Sequence, residues 1–241
     1  MRLHSPEYTA KMVEMAIKDF GANYIKAEDD LFTLNTKRLN SIKEAFEKLG
    51  ILDKIKGIEC QPRANLINDS LCQAMKDIKI KVVNFGFESG SDRVLKYLKV
   101  GSVTVEMNRN AVVMCKKYGF NVYGSLMYGS PTETLEDMEK TNEFIDFCYR
   151  NGASYLWSFV ATPFPATPFW RIAQERNKVS NDMDFRLLGH HAIDNPMLLD
   201  PEIDREEFKR VFMAGRRKLR KFKIKLIRDF VTTNPWKAIT M

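Results

Sequence analysis

Residues 84–93 read NFGFESGSDR, in which aromatic residues give way to a segment of glycines, serines and charged residues. Val82, Val83, Phe85 and Phe87 predict a short buried strand, after which a carboxylate, Glu88, stands among glycines and serines. Burial of an unpaired charge is costly, so Glu88 is a solvated turn residue, a paired carboxylate or part of a ligand site. The sequence on either side of this stretch distinguishes among these three roles.

Strands alternate with helices on both sides of this stretch. Helix-capping signals such as Ser5 and Asn35 recur, with glycines at the helix ends. The predicted strands are NYIKAEDD (23–30), KGIECQPR (56–63), VVNFGFES (82–89), NVYGSLMYG (121–129) and SYLWSFVA (154–161). This order predicts βαβ units and a parallel α/β sheet, either a barrel or a doubly wound sheet.

Polar residues recur where the predicted strands end. They are Asp29 and Asp30, Arg63, Glu88, Ser125 with Gly129, and Thr162 with Pro163. Ligands of parallel α/β folds collect at the carboxyl ends of the strands. The aspartates suit an ammonium group, Arg63 suits a carboxylate, and Glu88 suits the two hydroxyls of a ribose. S-adenosylmethionine carries all three groups, and its purine would rest on backbone near Gly129 and Pro163.

Each of these residues also has an ordinary interpretation. An Asp-Asp pair before Leu-Phe is typical of a solvated turn, and a single arginine is typical of a surface charge. The segment GFESGSD is typical of a turn into a helix that Ser91 or Asp92 caps. TPFPATP (162–168) on its own is a proline-rich loop. The recurrence of polar groups at equivalent strand ends is what favours a ligand site.

The chain resembles the radical SAM superfamily, in particular the branch associated with cobalamin-binding domains; methylthiotransferases share part of the pattern. The resemblance covers about residues 5–176 and is carried by EDDLFTLN (28–35), QPRAN (61–65), GFESGSDRVLKYLKVGSVTVEMN (86–108), YGSLMYGSPTETLEDMEKT (123–141) and ATPFPATPFW (161–170). It implies a partial (β/α) barrel with S-adenosylmethionine across its mouth. It further implies that Asp29 and Asp30 meet the amino group, Glu88 binds the ribose, Arg63 makes a polar contact, and Ser125 through Gly129 lie near the adenosine.

The sequence departs from the family pattern in one respect. Members carry C-x-x-x-C-x-x-C after the first strand and bind a [4Fe–4S] cluster through it, whereas Cys60, Cys72, Cys115 and Cys148 are widely spaced and without metal-ligand spacing. The chain also begins with a helix where a barrel begins with a strand. We therefore expect a radical SAM core or fragment whose first strand, cluster segment and any cobalamin domain lie upstream. The alternative is a short protein that binds S-adenosylmethionine or another nucleotide without radical chemistry.

The remaining residues predict a separate tail. We expect a core over residues 1–176, a linker over 177–200 and a basic amphipathic helix over 201–241, kinked at Gly215. Residues 209–228, KRVFMAGRRKLRKFKIKLIR, hold much of the net charge of +7. A stripe packed on the domain is the ordinary interpretation, and contact with RNA or an anionic membrane surface is the alternative.

Composition narrows the location and the metal chemistry. A hydrophobic fraction of 44% suits a globular core, no apolar run is long enough to span a membrane, and no signal peptide precedes the first helix. We expect a cytoplasmic protein, with peripheral membrane contact left open. His4, His190 and His191 are the histidines of the chain, which makes a metal site built from this chain alone improbable. An electron donor and the substrate are further expected partners, and the substrate is not readable from the sequence.

Overall fold

The structure is a computed structural model that describes residues 3–29, 31–189, 196–200 and 202–233. Within them the strands are β1 Tyr24–Lys26, β2 Gly57–Cys60, β3 Ile80–Glu88, β4 Asn121–Tyr128 and β5 Tyr155–Val160. The helices are α1 Pro6–Phe20, α2 Thr36–Lys48, α3 Asp69–Asp77, α4 Asp92–Lys99, α5 Val105–Lys117, α6 Leu135–Arg150, α7 Pro168–Glu175 and α8 Arg205–Thr233. The predicted alternation of strands and helices is confirmed.

The strands form one sheet in the order β1-β2-β3-β4-β5. Strand β1 pairs in parallel with β2, and β2 pairs in parallel with β3. A helix lies between each of these strands and the next, as parallel pairing requires. Because these three strands run parallel to one another, their carboxyl ends share one edge of the sheet.

The helix starts are set by local side-chain caps. Ser5 accepts a hydrogen bond from Tyr8 N, and Pro6 occupies the first helical position of α1. Asn35 and Asn68 cap α2 and α3 in the same way. These caps satisfy amide groups that the helix itself leaves unpaired. The predicted caps at Ser5 and Asn35 are confirmed.

The chain divides into two compact units. The first comprises the described residues of Met1–Gly86, Glu106–Gly124 and Arg150–Ser154. In this unit α1 packs on α2 and α2 packs on α3. Its buried residues include Leu39, Ile42 and Phe46 of α2, which lie on one helical stripe.

The second unit comprises the described residues of Phe87–Val105, Ser125–Tyr149 and Tyr155–Met241. Its core is aromatic: the ring centroids of Phe87 and Phe144 lie 5.3 Å apart, and those of Tyr128 and Phe212 lie 5.1 Å apart. Phe208 and Phe212, both fully buried, bring the first half of α8 into this core. The predicted division into core, linker and tail stays a prediction.

Within the described ranges, no helix combines the length and the apolar character needed to cross a membrane.

Candidate functional site

Glu88 ends β3 in an uncommon backbone conformation. Its φ is +60°, in the left-handed region, and Ser89 N donates to Phe87 O at 2.8 Å across it. This hydrogen bond closes a three-residue turn with Glu88 at its centre, a form that is rare and strained for a residue with a side chain. Strain of this kind concentrates at functional sites, where the surrounding structure holds the residue in place.

The carboxylate of Glu88 is held by one cation. Lys99, the last residue of α4, places its Nζ 2.9 Å from Oε1. The side chain of Glu88 is 22% exposed, so it is neither buried alone nor freely solvated. A carboxylate has about four acceptor positions, and Lys99 uses one of them. Oε2 therefore retains its capacity to accept hydrogen bonds from a ligand.

The loop that follows Glu88 is fixed to α6. Gly90 N donates to Thr141 Oγ1 at 2.9 Å, and the Ser89 hydroxyl lies 3.1 Å from the same oxygen. A Cβ on Gly90 would lie 2.3 Å from Lys140 O, so glycine is required for this close approach. The glycine therefore serves helix packing, which accounts for it without a ligand.

A buried carboxylate, Asp137, joins this loop to the loop after β4. Ser91 Oγ donates to its Oδ1 at 2.6 Å, and Arg93 forms an ion pair with its Oδ2. Arg93 also donates to Thr132 O at 2.5 Å. Burial acts to raise the pKa of Asp137, but the hydrogen bonds that it accepts outweigh burial and hold the pKa well below its usual range.

The loop after β4 is closed by Glu133, which is 1% exposed. Its Oε2 accepts from Gly129 N at 2.5 Å and from Ser130 N at 3.1 Å. Its Oε1 has no hydrogen-bond partner among the described residues. Burial raises the pKa of Glu133 to about 8 despite the two backbone donors.

Gly129 and Pro163 lie where β4 and β5 end. Gly129 directly follows β4 with a φ of +80°, and a Cβ on it would lie 3.2 Å from the ring of Phe208. Ala161 N donates to Tyr128 O at 2.7 Å, which joins the two strand ends, and Pro163 is buried just beyond. Ser125 does not lie at a strand end, because β4 extends three residues past it to Tyr128. The predicted strand-end position of Ser125 was therefore wrong, and its role near the adenosine stays a prediction.

The first unit holds the other predicted ligand residues. Asp29 follows β1 and Arg63 follows β2, and both are exposed. Since β1 and β2 pair in parallel with Lys26 opposite Glu59, the two residues stand beyond the carboxyl ends of neighbouring strands. Asp30, His190 and His191 lie outside the described residues. The roles of Asp29, Arg63 and the other predicted ligand residues stay predictions.

Comparison with known proteins decides the family. The model of the radical SAM superfamily matches residues 1–145, which is more than half of the chain. The chain belongs to the radical SAM superfamily. An uncharacterized methyltransferase of Pyrococcus horikoshii is 34% identical over 176 residues, covering 73% of this chain and 37% of that relative. The resemblance stated from the sequence is thereby confirmed.

Solved structures agree on the fold of this radical SAM chain. The cobalamin-dependent S-adenosylmethionine radical enzyme OxsB, with aqua-cobalamin and S-adenosylmethionine bound, has a TM-score of 0.62 and 16% identity. The matched region covers 97% of this chain and 38% of the OxsB chain. The radical S-adenosylmethionine methyltransferase TsrM from Kitasatospora setae, with tryptophan substrate and a SAM analogue bound, has a TM-score of 0.59 and 19% identity, covering 85% of this chain and 39% of its own. The predicted radical SAM type of α/β fold is confirmed, and the chain spans well under half the length of these proteins.

Members of this superfamily bind S-adenosylmethionine and a [4Fe–4S] cluster, but the cysteines present do not fit a cluster. Cys60, Cys72, Cys115 and Cys148 are all buried within the cores of the units. A cluster requires several cysteine thiolates close together, and these four cysteines are dispersed along the chain. Among the residues that the structure describes, no group of three histidines, cysteines or carboxylates is placed to hold a metal.

Sequence reasoning missed the residues that hold the site together. Ser91 begins α4 without capping it, because its hydroxyl is bonded to Asp137. Asp92 accepts from Val105 N at 2.7 Å and so satisfies the start of α5, not of α4. The sequence shows charged residues in both segments, GSDR (90–93) and ETLED (133–137), but nothing in it pairs them. Only the fold shows that these two segments contact each other.

Proposed function

We propose that this chain supplies the S-adenosylmethionine-binding part of a radical SAM enzyme. The observation that carries the proposal is Glu88, whose carboxylate stands at a strained strand end with one oxygen fixed by Lys99 and the other able to accept hydrogen bonds. Family membership supplies the ligand class. A ribose, with two adjacent hydroxyl donors, is the part of the ligand that such a carboxylate binds best.

The other predicted residues have complementary roles in this proposal. Asp29, with Asp30, would pair with the ammonium group, and Arg63 would pair with the carboxylate. The adenine would rest on backbone near Gly129 and Pro163. The network around Asp137 and the buried Glu133 hold the two loops of the second unit in place, so Glu88 is positioned before any ligand arrives.

Reaction chemistry belongs to the complete protein in this proposal. In the family a [4Fe–4S] cluster would supply the electron for cleavage of S-adenosylmethionine. Within the part of this chain that the structure describes, no group of histidines, cysteines or carboxylates is placed to hold a metal. We propose that further segments of the complete protein supply the cluster ligands and a cobalamin-binding domain, with an electron donor as partner. Hydrogen abstraction and methyl transfer remain the candidate reactions, and the methyltransferase relative favours the second.

Isothermal titration of the chain with S-adenosylmethionine tests the proposal. Glu88→Ala removes the acceptor of both ribose hydroxyls, and hydrogen bonds to a charged group contribute about 1.5–3 kcal/mol each, so the affinity should fall by about a hundredfold or more. Glu143→Ala is the matched control, because Glu143 is an exposed carboxylate of α6 in the same unit. No binding by the unchanged chain, or an equal loss in both variants, would contradict the proposal. Binding without any radical chemistry in the complete protein would favour the non-catalytic alternative.

A further inference from the structure

The second unit contains a cleft of about 470 Å³ between β5 and α8. This volume lies within the range of about 300–1,000 Å³ that ligand sites occupy. One wall is the beginning of β5, the strand at the edge of the sheet, and the other wall is the middle of α8. Nothing in the proposed binding of S-adenosylmethionine uses this cleft, since Glu88, Gly129 and Pro163 do not line it.

Four cations line the cleft: Arg216, Arg217, Arg220 and Lys223. No acidic side chain is among the lining residues, and none of the four cations forms an ion pair within the part of the chain that the structure describes. By contrast, Lys218 of the same helix faces α6 and pairs with Asp146. The charge inside the cleft is therefore left for an external anion. Three of the four cations are arginines, whose planar guanidinium matches a phosphate.

Aromatic rings line the cleft together with these cations. Tyr155 and Trp157 of β5 line the cleft with ring centroids 4.6 Å apart, and both are partly exposed. Lys223 Nζ lies 5.9 Å from the ring centroid of Tyr155, so the cation and the ring border the same part of the cleft. Rings beside cations are the combination with which proteins bind single-stranded nucleic acid, by stacking bases and pairing phosphates.

We infer that this cleft binds a segment of single-stranded nucleic acid, with bases stacked on Trp157 and Tyr155 and phosphates paired with the arginines of α8. An anionic membrane is the competing partner, because the second half of α8 exposes Ile224 and Ile227 among lysines. The concave arrangement of rings and cations favours nucleic acid, since a bilayer surface cannot enter a cleft. The inference is independent of the proposed S-adenosylmethionine site, because the two use different residues.

Fluorescence anisotropy with the full chain tests this inference, using labelled oligouridylate and oligothymidylate 12-mers at 50 and 200 mM KCl. We expect both oligonucleotides to bind, with a log–log salt slope of about −2 to −3 for three or four neutralised phosphates. If only the RNA binds, the site additionally reads the ribose hydroxyl, and the inference stands for RNA. Absence of binding to both at 50 mM KCl would overturn it.

A charge-matched pair of variants locates the binding. Arg217→Gln with Arg220→Gln removes two cleft cations and should weaken binding about tenfold or more while reducing the salt slope by about 1.4. Lys221→Gln with Lys225→Gln removes two exposed lysines of the same helix that do not line the cleft, and should weaken binding less than about threefold. Equal losses in the two double variants would overturn the inference, because they would show attraction to the helix charge in general.

A ring variant separates stacking from charge. Trp157→Leu should weaken binding by about tenfold with an unchanged salt slope, whereas Tyr97→Leu, an exposed tyrosine of α4, should have no effect. Circular dichroism checks that each variant folds. If Trp157→Leu does not fold, the comparison of the two double variants still tests the inference. Sedimentation with phosphatidylserine vesicles completes the test. Binding to vesicles without binding to oligonucleotides would overturn the inference in favour of a membrane.

Discussion

At the scale of single residues, Glu88 combines a functional side chain with an unfavourable backbone. A residue with a Cβ at a φ of +60° costs about 1–2 kcal/mol relative to glycine. The chain nevertheless has glutamate at this position, between Gly86 and Gly90, although a glycine would adopt this conformation without strain. The simplest physical account is that the carboxylate is needed and the strain is its cost.

This account predicts the order of stability of two variants at position 88. Both Glu88→Gly and Glu88→Ala lose the pair with Lys99, but only glycine relieves the backbone. Glu88→Gly should therefore be more stable than Glu88→Ala by about 1 kcal/mol in urea unfolding, although neither should bind S-adenosylmethionine well. An alanine variant as stable as the glycine variant would show that the turn at Glu88 is not strained.

Glu133 makes stability depend on pH. Its pKa is raised by burial to about 8 from an ordinary value of 4.5, so the folded chain binds more protons than the unfolded chain between these values. The contribution of this pKa difference to the free energy of unfolding is complete below pH 4.5 and is lost as the pH rises through 8. Each unit of pKa difference corresponds to about 1.4 kcal/mol.

Glu133→Gln should remove this dependence while keeping an oxygen for Gly129 N and Ser130 N. We expect the difference in unfolding free energy, variant minus unchanged chain, to grow in favour of the variant from pH 5 to pH 9. Urea unfolding followed by circular dichroism at each pH measures it, and Glu136→Gln, an exposed carboxylate in the next turn, should show no such trend. A difference that stays constant with pH would contradict the raised pKa.

At the scale of elements, Gly215 allows α8 to pack closely on a buried polar pair. The sequence predicts a kink at Gly215, which stays a prediction; α8 runs as one helix from Arg205 to Thr233. A Cβ on Gly215 would lie 2.3 Å from Asn142 Oδ1 and 2.8 Å from the Tyr128 hydroxyl, which are bonded to each other at 2.8 Å. Glycine is required there because a buried polar pair approaches the helix backbone.

Gly215→Ala should therefore destabilise the chain by about 1–3 kcal/mol, as overpacking does, although alanine in a helix normally stabilises by about 1 kcal/mol. In a chain that already carries Asn142→Ala, the same substitution should cost much less, since the nearest atom is gone. Thermal unfolding of the unchanged chain, the two single variants and the double variant gives this coupling directly. A stabilising Gly215→Ala would mean that the helix is not packed this closely.

The elements also show where sequence reasoning succeeds and fails. The caps at Ser5 and Asn35 were predictable because both partners lie within one turn of the helix. The partner of Asp92 is Val105 N, thirteen residues along, and that of Ser91 is Asp137, forty-six residues along. Such partners depend on the fold, so the sequence suggested a local cap that the structure does not form.

At the scale of the whole molecule, the family and the fold type were predictable because strand–helix alternation and the GFESGSD segment survive in the sequence. The positions of Glu88, Gly129 and Pro163 at strand ends followed from the same pattern. The ion pair of Arg93 with Asp137 did not, because it joins residues that are 44 positions apart in the chain. Periodicity identifies which residues reach a strand end but not what holds them there.

The chain by itself should bind S-adenosylmethionine without cleaving it. Its cysteines are buried and dispersed, so anaerobic reconstitution with iron and sulfide should give no stable cluster. Under dithionite, chromatography should detect no 5′-deoxyadenosine above a reaction without protein. Its formation by these 241 residues would show that cluster ligands had been overlooked.

The central claim, that Glu88 binds the ribose of S-adenosylmethionine, is tested most directly by removing each partner of that contact. Isothermal titration would compare S-adenosylhomocysteine with its 2′-deoxyribose analogue on the unchanged chain and on Glu88→Ala. Loss of the hydroxyl should weaken binding by about tenfold on the unchanged chain and hardly at all on the variant. An equal loss on both proteins would contradict the claim, because the hydroxyl would then be bound by some other group.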